Sequence, residues 1–122
     1  MHVAYSCFPL GALTVAADIL WPGSIGATAA LHPWMAGAIG LMTLAVMTRA
    51  TLGHTGQALT AGAGTVAIYG MIGISVLARL GAGLMPVWAM PLYTVSGLAW
   101  IAGFAGFAGL YGRLLLRRRA TA

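Results

Sequence analysis

The sequence predicts an all-α integral membrane protein: four antiparallel transmembrane helices, up-down, with both termini cytoplasmic. Three observations predict it. First, 61% of the 122 residues are hydrophobic and 6% are charged, whereas soluble domains average about 25% charged residues. So short a soluble chain could not cover that much apolar surface, but lipid solvates it directly. Second, four apolar runs each approach or exceed the roughly 20 residues that cross a hydrocarbon core. Third, glycine occurs 18 times, as expected where transmembrane helices pack closely.

The runs fall at about 3–20, 27–48, 60–80 and 86–112, followed by a basic tail over 113–122, and they form one four-helix unit. The first is broken only by Asp18 and ends at Trp21-Pro22-Gly23; the second contains Pro33; the third carries Arg79 near its end. The connectors, 21–26, 49–59 and 81–85, are too short for a soluble domain, and short connectors make neighbouring helices antiparallel. The first run lacks a basic leader and reads as an anchor, not a cleaved signal.

Charge sets the orientation. The chain has six Arg and one acid, Asp18, for a net charge of +5. Four of those Arg, at 113 and 117–119, follow the last apolar run. Such a cluster holds the C-terminus in the cytoplasm and contacts anionic lipid. Four crossings return the N-terminus to the same side, with Arg49 in a cytoplasmic connector. No basic face with interleaved aromatics exists, which argues against a nucleic-acid partner. A single Cys, Cys7, precludes an intrachain disulfide.

Asp18 and Arg79 both fall toward the outer ends of their helices. An intramembrane charge is usually paired, so an Asp18–Arg79 ion pair is expected. The alternative is that Arg79 snorkels to lipid phosphate while Asp18 meets water. The last helix reads GFAGFAGLYG over 103–112, a small-residue surface that accepts another helix. The partner helix could lie in this chain or in a second one. Tyr5, Trp34, Trp88 and Tyr111 suit an interfacial aromatic belt, and Trp100 suits a packing position.

His2, His32 and His54 are the candidate ligands, because imidazole is the commonest haem and transition-metal ligand. No HExxH or i, i+4 pair occurs, and a lone His at a helix end also serves as an interfacial hydrogen-bonding residue. His32 and His54 stand 22 residues apart, about 33 Å along one straight helix, so they cannot share one haem. His2 and His54 fall on one membrane face and form the allowed pair; His32 would serve a second centre or another chain. Pro33 is expected to hold His32 in extended geometry outside the regular helix. Cys7 and seven Met offer soft ligands for copper(I), though both are ordinary apolar fillers.

The stretch LHPWMAGAIGLMTLAVMTRATLGHTGQAL, 31–59, resembles the most recognisable segment of the NnrS family. The matching elements are His32, Trp34, Gly37 to Gly40, Met47-Thr48-Arg49 and Leu52 to Gly56. His2 with Tyr5, Pro9, Leu10 and Gly11 resembles another family stretch, and Arg79 and the tail after Tyr111 also fit. Family members are much longer, and this chain resembles their C-terminal third. The resemblance implies a bacterial inner-membrane protein that holds haem and perhaps copper and serves in denitrification and the nitric oxide response. It carries His54, His2 and His32 as candidate ligands and places Arg49 beside a haem propionate, where its other reading is a topology anchor. Two further readings stand beside this one. One is a cofactor-free helical fragment or assembly partner, including a homo-oligomer; the other is a small transporter or channel component.

Overall fold

The structure is a computed structural model and describes residues 2–116. Its elements are α1 (His2–Leu20), α2 (Ala27–His54), α3 (Ala63–Leu84) and α4 (Pro86–Leu116), each long and apolar enough to cross a membrane. Among the described residues there is no strand. The chain is a multi-pass membrane protein in a lipid bilayer. The basic tail expected over 113–122 lies outside the described residues beyond position 116.

The α1–α2 turn explains the one acid. Asp18, in the last turn of α1, accepts hydrogen bonds at Oδ1 from the backbone N–H groups of Ile25 at 3.3 Å and Gly26 at 2.9 Å. Gly26 is the N-cap of α2, with φ +85°, and its side chain can offer no cap. Asp18 therefore secures the start of α2 from outside, satisfying donors that helix geometry leaves unpaired. Arg79 lies elsewhere, over the ring of Tyr93. The structure thus gives Asp18 and Arg79 separate partners in place of the expected ion pair.

α2 departs from regular winding at Pro33. The segment Pro33–Gly40 is π-helical. Pro33 supplies no N–H and its ring crowds the carbonyl four residues back. The widened winding absorbs both effects without ending the helix, and π segments of this kind often sit at functional sites. His32 itself is helical, with φ −61° and ψ −35°, not extended as its place before proline suggested. The wider turn relieves the clash that normally drives such a residue from the α region.

α2 also continues past Thr48 to His54. Thr51 and Thr55 return their hydroxyls to the carbonyls of Met47 and Thr51, at 2.8 and 2.7 Å. Such back-bonding keeps hydroxyls satisfied inside a helix. The helix closes when Gln57 N–H reaches the Leu52 carbonyl at 2.9 Å and Gly56 N–H reaches Gly53 at 3.3 Å. This closure needs a left-handed residue, and Gly56 supplies φ +71°. His54 is thus the last residue of a helix.

Two antiparallel hairpins make the bundle. In the first, the Trp34 indole donates to the Phe8 carbonyl at 2.7 Å, and Thr14 donates to the Ala30 carbonyl at 2.8 Å. A Cβ on Gly11 would collide with the Trp34 ring, and one on Gly37 would stand 2.7 Å from Cys7 Sγ. In the second hairpin, Thr65 meets the Tyr111 hydroxyl at 2.6 Å and Gly103 lies flat against Ile72. The part of the α4 small-residue surface at Gly103 and Gly106 therefore has its partner within the chain, on Ile68 and Ile72 of α3. Tyr111 is 3% exposed and belongs to this core, not to an interfacial belt. The hairpins join through Gly40 beneath Trp100, Gly83 against Ile25 and Ala29, and the Thr48–Tyr69 contact at 2.6 Å. Leu44 and Ile72 are fully buried at the centre.

Candidate functional site

One face of α3 carries polar groups at both ends and apolar groups between them. Thr65 and Tyr69 stand at one end, Ser75 and Arg79 at the other, with Ile68 and Ile72 between. Each polar end faces a cavity.

The larger cavity, about 510 Å³, lies between α2, α3 and α4 and is lined by His32, Met35, Ser75, Arg79, Tyr93 and Trp100 among others. His32 stands five residues into α2, and Arg79 lies five residues before the end of α3. Both are therefore about one and a half turns inside the helix ends. The volume falls within the roughly 300–1,000 Å³ of small-molecule sites.

His32 is half-buried, and its Nδ1 lies 2.7 Å from the Thr28 carbonyl one turn earlier. A carbonyl only accepts, so Nδ1 must carry the proton. In the neutral ring Nε2 then bears the lone pair. Metal-ligating histidines are commonly held this way, with the outer ring nitrogen fixed on a carbonyl or carboxylate. Met35, one turn further on, adds a thioether to the same lining.

Arg79 places its guanidinium carbon 4.5 Å from the centroid of the Tyr93 ring, a cation–π distance. Ser96 donates to the Ser75 carbonyl at 2.9 Å, and the two hydroxyls meet at 3.1 Å, both buried. The serines are thus satisfied by each other, and the imidazole, the guanidinium and the Tyr93 phenol are the other polar groups of the lining. Trp100 packs on Phe104 with centroids 4.8 Å apart. Gly40 leaves room for its ring, since a Cβ there would stand 3.0 Å from it.

The opposite end is built differently. A cleft of about 130 Å³ is lined by Thr48, Arg49, Thr60, Thr65 and Tyr69 among others. Arg49, His54 and His2 are exposed. The α1–α2 register sets Cys7 on Gly37 and Val3 and Ala4 beside Leu41 and Ala45, so His2 lies level with about Met42 or Thr43. His54 then stands about eleven residues, or roughly 16 Å, further along the axis. The register does not bring His2 and His54 together. It does bring His32 and Arg79, from different helices, to one cavity.

Among the described residues no group of three or more His, Cys, Asp or Glu is assembled. A structural zinc ion takes four ligands, and His32 with Met35 offers two. A porphyrin brings four nitrogens of its own and asks the protein for one or two axial groups. The donor set of this cavity, an imidazole and a thioether, is one that haem or copper(I) accepts.

Composition and spacing pointed to His32 and Arg79 separately but not to their meeting. Ser75 and Arg79, four apart on α3, were a legible face. Tyr93, Ser96 and Trp100 join it only through the α3–α4 register. No curated protein matched the chain in a search of such proteins, and no solved structure matched it either. The family model described as NnrS protein matches residues 1–119 of the 122. The chain belongs to the NnrS family.

Proposed function

We propose that this chain is a haem-binding membrane protein of NnrS type acting in the nitric oxide response, with His32 as the axial ligand. The observation that carries the reading is the Nδ1–Thr28 hydrogen bond at 2.7 Å within a cavity of suitable size. It fixes the ring and leaves Nε2 as the donor nitrogen. His32 would hold the haem through Nε2, and the group, when bound, would supply an iron able to take a small ligand such as nitric oxide. The protein's own part is to orient His32 through Thr28, to wall the cavity with Trp100 and Met35, and to keep the serine hydroxyls occupied.

We place the protein in the bacterial inner membrane, with both termini and the Arg49 connector cytoplasmic. The family and the positions of the Arg residues support this placement. His2 and His54 are proposed as ligands of separate centres, copper included, because their depths differ. Arg49 is proposed as a topology anchor, its exposure beside a polar cleft supporting that role over a propionate contact.

A second reading is favoured by one observation. Gly70 and Gly73 on α3, and Gly97, Gly109 and Gly112 on α4, face open space, as they would on an assembly partner without cofactor. Visible spectroscopy and metal analysis of the detergent-purified protein separate the two. A Soret band with near-stoichiometric iron supports haem. His32→Ala should remove or shift that band, and His2→Ala or His54→Ala should leave it. A colourless protein without iron would sink the cofactor reading.

A further inference from the structure

We propose that Arg79, braced on Tyr93, is the anchor for an acidic group carried by the occupant of the His32 cavity. The inference rests on the reading of that cavity as a cofactor site, and it concerns a different part of the occupant from the iron. It begins with a charge that lacks a counter-charge. Arg79 lies within a membrane-spanning helix and is half-buried. Intramembrane charges are retained where something pairs with them. The chain has a single acid, and that acid, Asp18, is committed to the N–H groups of Ile25 and Gly26. Among the described residues, no acid reaches Arg79.

Tyr93 answers only part of the need. A ring face stabilises the positive charge but accepts none of the five N–H donors along the guanidinium edge. It holds the plane of the fork in place and leaves its donors directed elsewhere. A guanidinium so fixed matches a carboxylate with two parallel hydrogen bonds. The cavity then has a defined chemistry. It presents one imidazole, one guanidinium braced on a ring, two serines bonded to each other, and otherwise apolar or aromatic walls. The occupant that suits it is a flat apolar body bearing an acidic arm, and a porphyrin propionate has that form. A lipid phosphate could also neutralise Arg79, so the two sources must be separated.

The test uses the full chain, freed of cofactor, in nanodiscs of neutral lipid. Haem and haem dimethyl ester, whose carboxylates are blocked, are titrated separately, and affinity is read from the Soret band. Wild type is expected to prefer haem by about tenfold or more, as loss of a charge-assisted bidentate pair implies. Arg79→Gln should bring that ratio near one without moving the Soret maximum, because His32 still ligates. Tyr93→Leu keeps the charge but removes the brace, and should lower the ratio part way; Tyr93→Phe should keep it. A wild type indifferent to esterification, or an Arg79→Gln ratio unchanged from wild type, would overturn the proposal while leaving ligation by His32 standing. Failure of both porphyrins to bind wild type would overturn both readings. If Arg79→Gln leaves the ester ratio unchanged but loses anionic lipid from phosphatidylglycerol vesicles, Arg79 serves lipid phosphate and the anchor proposal is wrong.

Discussion

The two ends of the bundle hold nearly the same residue types and treat them in opposite ways. Each has one Arg and one α2 histidine, with hydroxyls nearby. At the His32 end the imidazole is half-buried with Nδ1 on the Thr28 carbonyl, and Arg79 rests on Tyr93. At the other end His54 is the last residue of its helix and is exposed, as is Arg49. A charged group one or two turns inside a helix end must be held by its surroundings, whereas one at the interface is served by water and lipid headgroups. On the proposed reading, depth and not residue type sets the two ends apart: the deeper His32 and Arg79 line the haem cavity, and the exposed Arg49 serves as a topology anchor.

The strongest way to break this contrast is to close the first end. Gly83 packs directly on the Ile25 carbonyl and Ala29. Gly83→Leu should lower stability by about 2–3 kcal/mol through overpacking, or prevent folding. Gly109→Leu, facing open space, should stay within about 0.5 kcal/mol. Thermal unfolding in detergent reads both, and equal losses would contradict the packing described.

Asp18 sharpens the comparison by about 2 kcal/mol. Asp18→Ala abandons two backbone donors at the α1–α2 turn and should destabilise by about that much. If Asp18 and Arg79 act separately, Asp18→Asn and Arg79→Gln should add in the double mutant to within about 0.5 kcal/mol. A double mutant no worse than either single would restore the ion pair. The smallest effect belongs to the His54 end. Gly56→Ala forces a left-handed φ on a residue with a Cβ and should cost about 1 kcal/mol. Hydrogen exchange should show fraying confined to the last turn of α2, with protection of the His32 segment unchanged.

The four membrane-crossing helices were legible because the bilayer demands one length and one kind of surface from each. The cavity was less so. In a soluble protein an apolar stripe marks the face that meets a neighbour. In lipid every face is apolar, and glycine contacts such as Gly11 with Trp34 or Gly103 with Ile72 set the register instead. GFAGFAGLYG announced close packing but could not name α3 as its partner. Pro33 pointed to a broken helix, since the local rule for residues before proline holds only where winding stays regular. MTRATLGH pointed to a polar connector because hydropathy falls there, yet its threonines bond back to their own helix. A lone acid and a lone membrane arginine invite pairing in the sequence, whereas in the structure the nearby backbone N–H groups of Ile25 and Gly26 take the acid.

The most direct measurement is the haem content of three purified proteins: wild type, His32→Ala and His54→Ala. The account predicts near-stoichiometric haem in wild type and His54→Ala, and loss or a displaced Soret band in His32→Ala alone. A native spectrum in His32→Ala, with haem lost from His54→Ala, would move the binding site to the other end of the bundle.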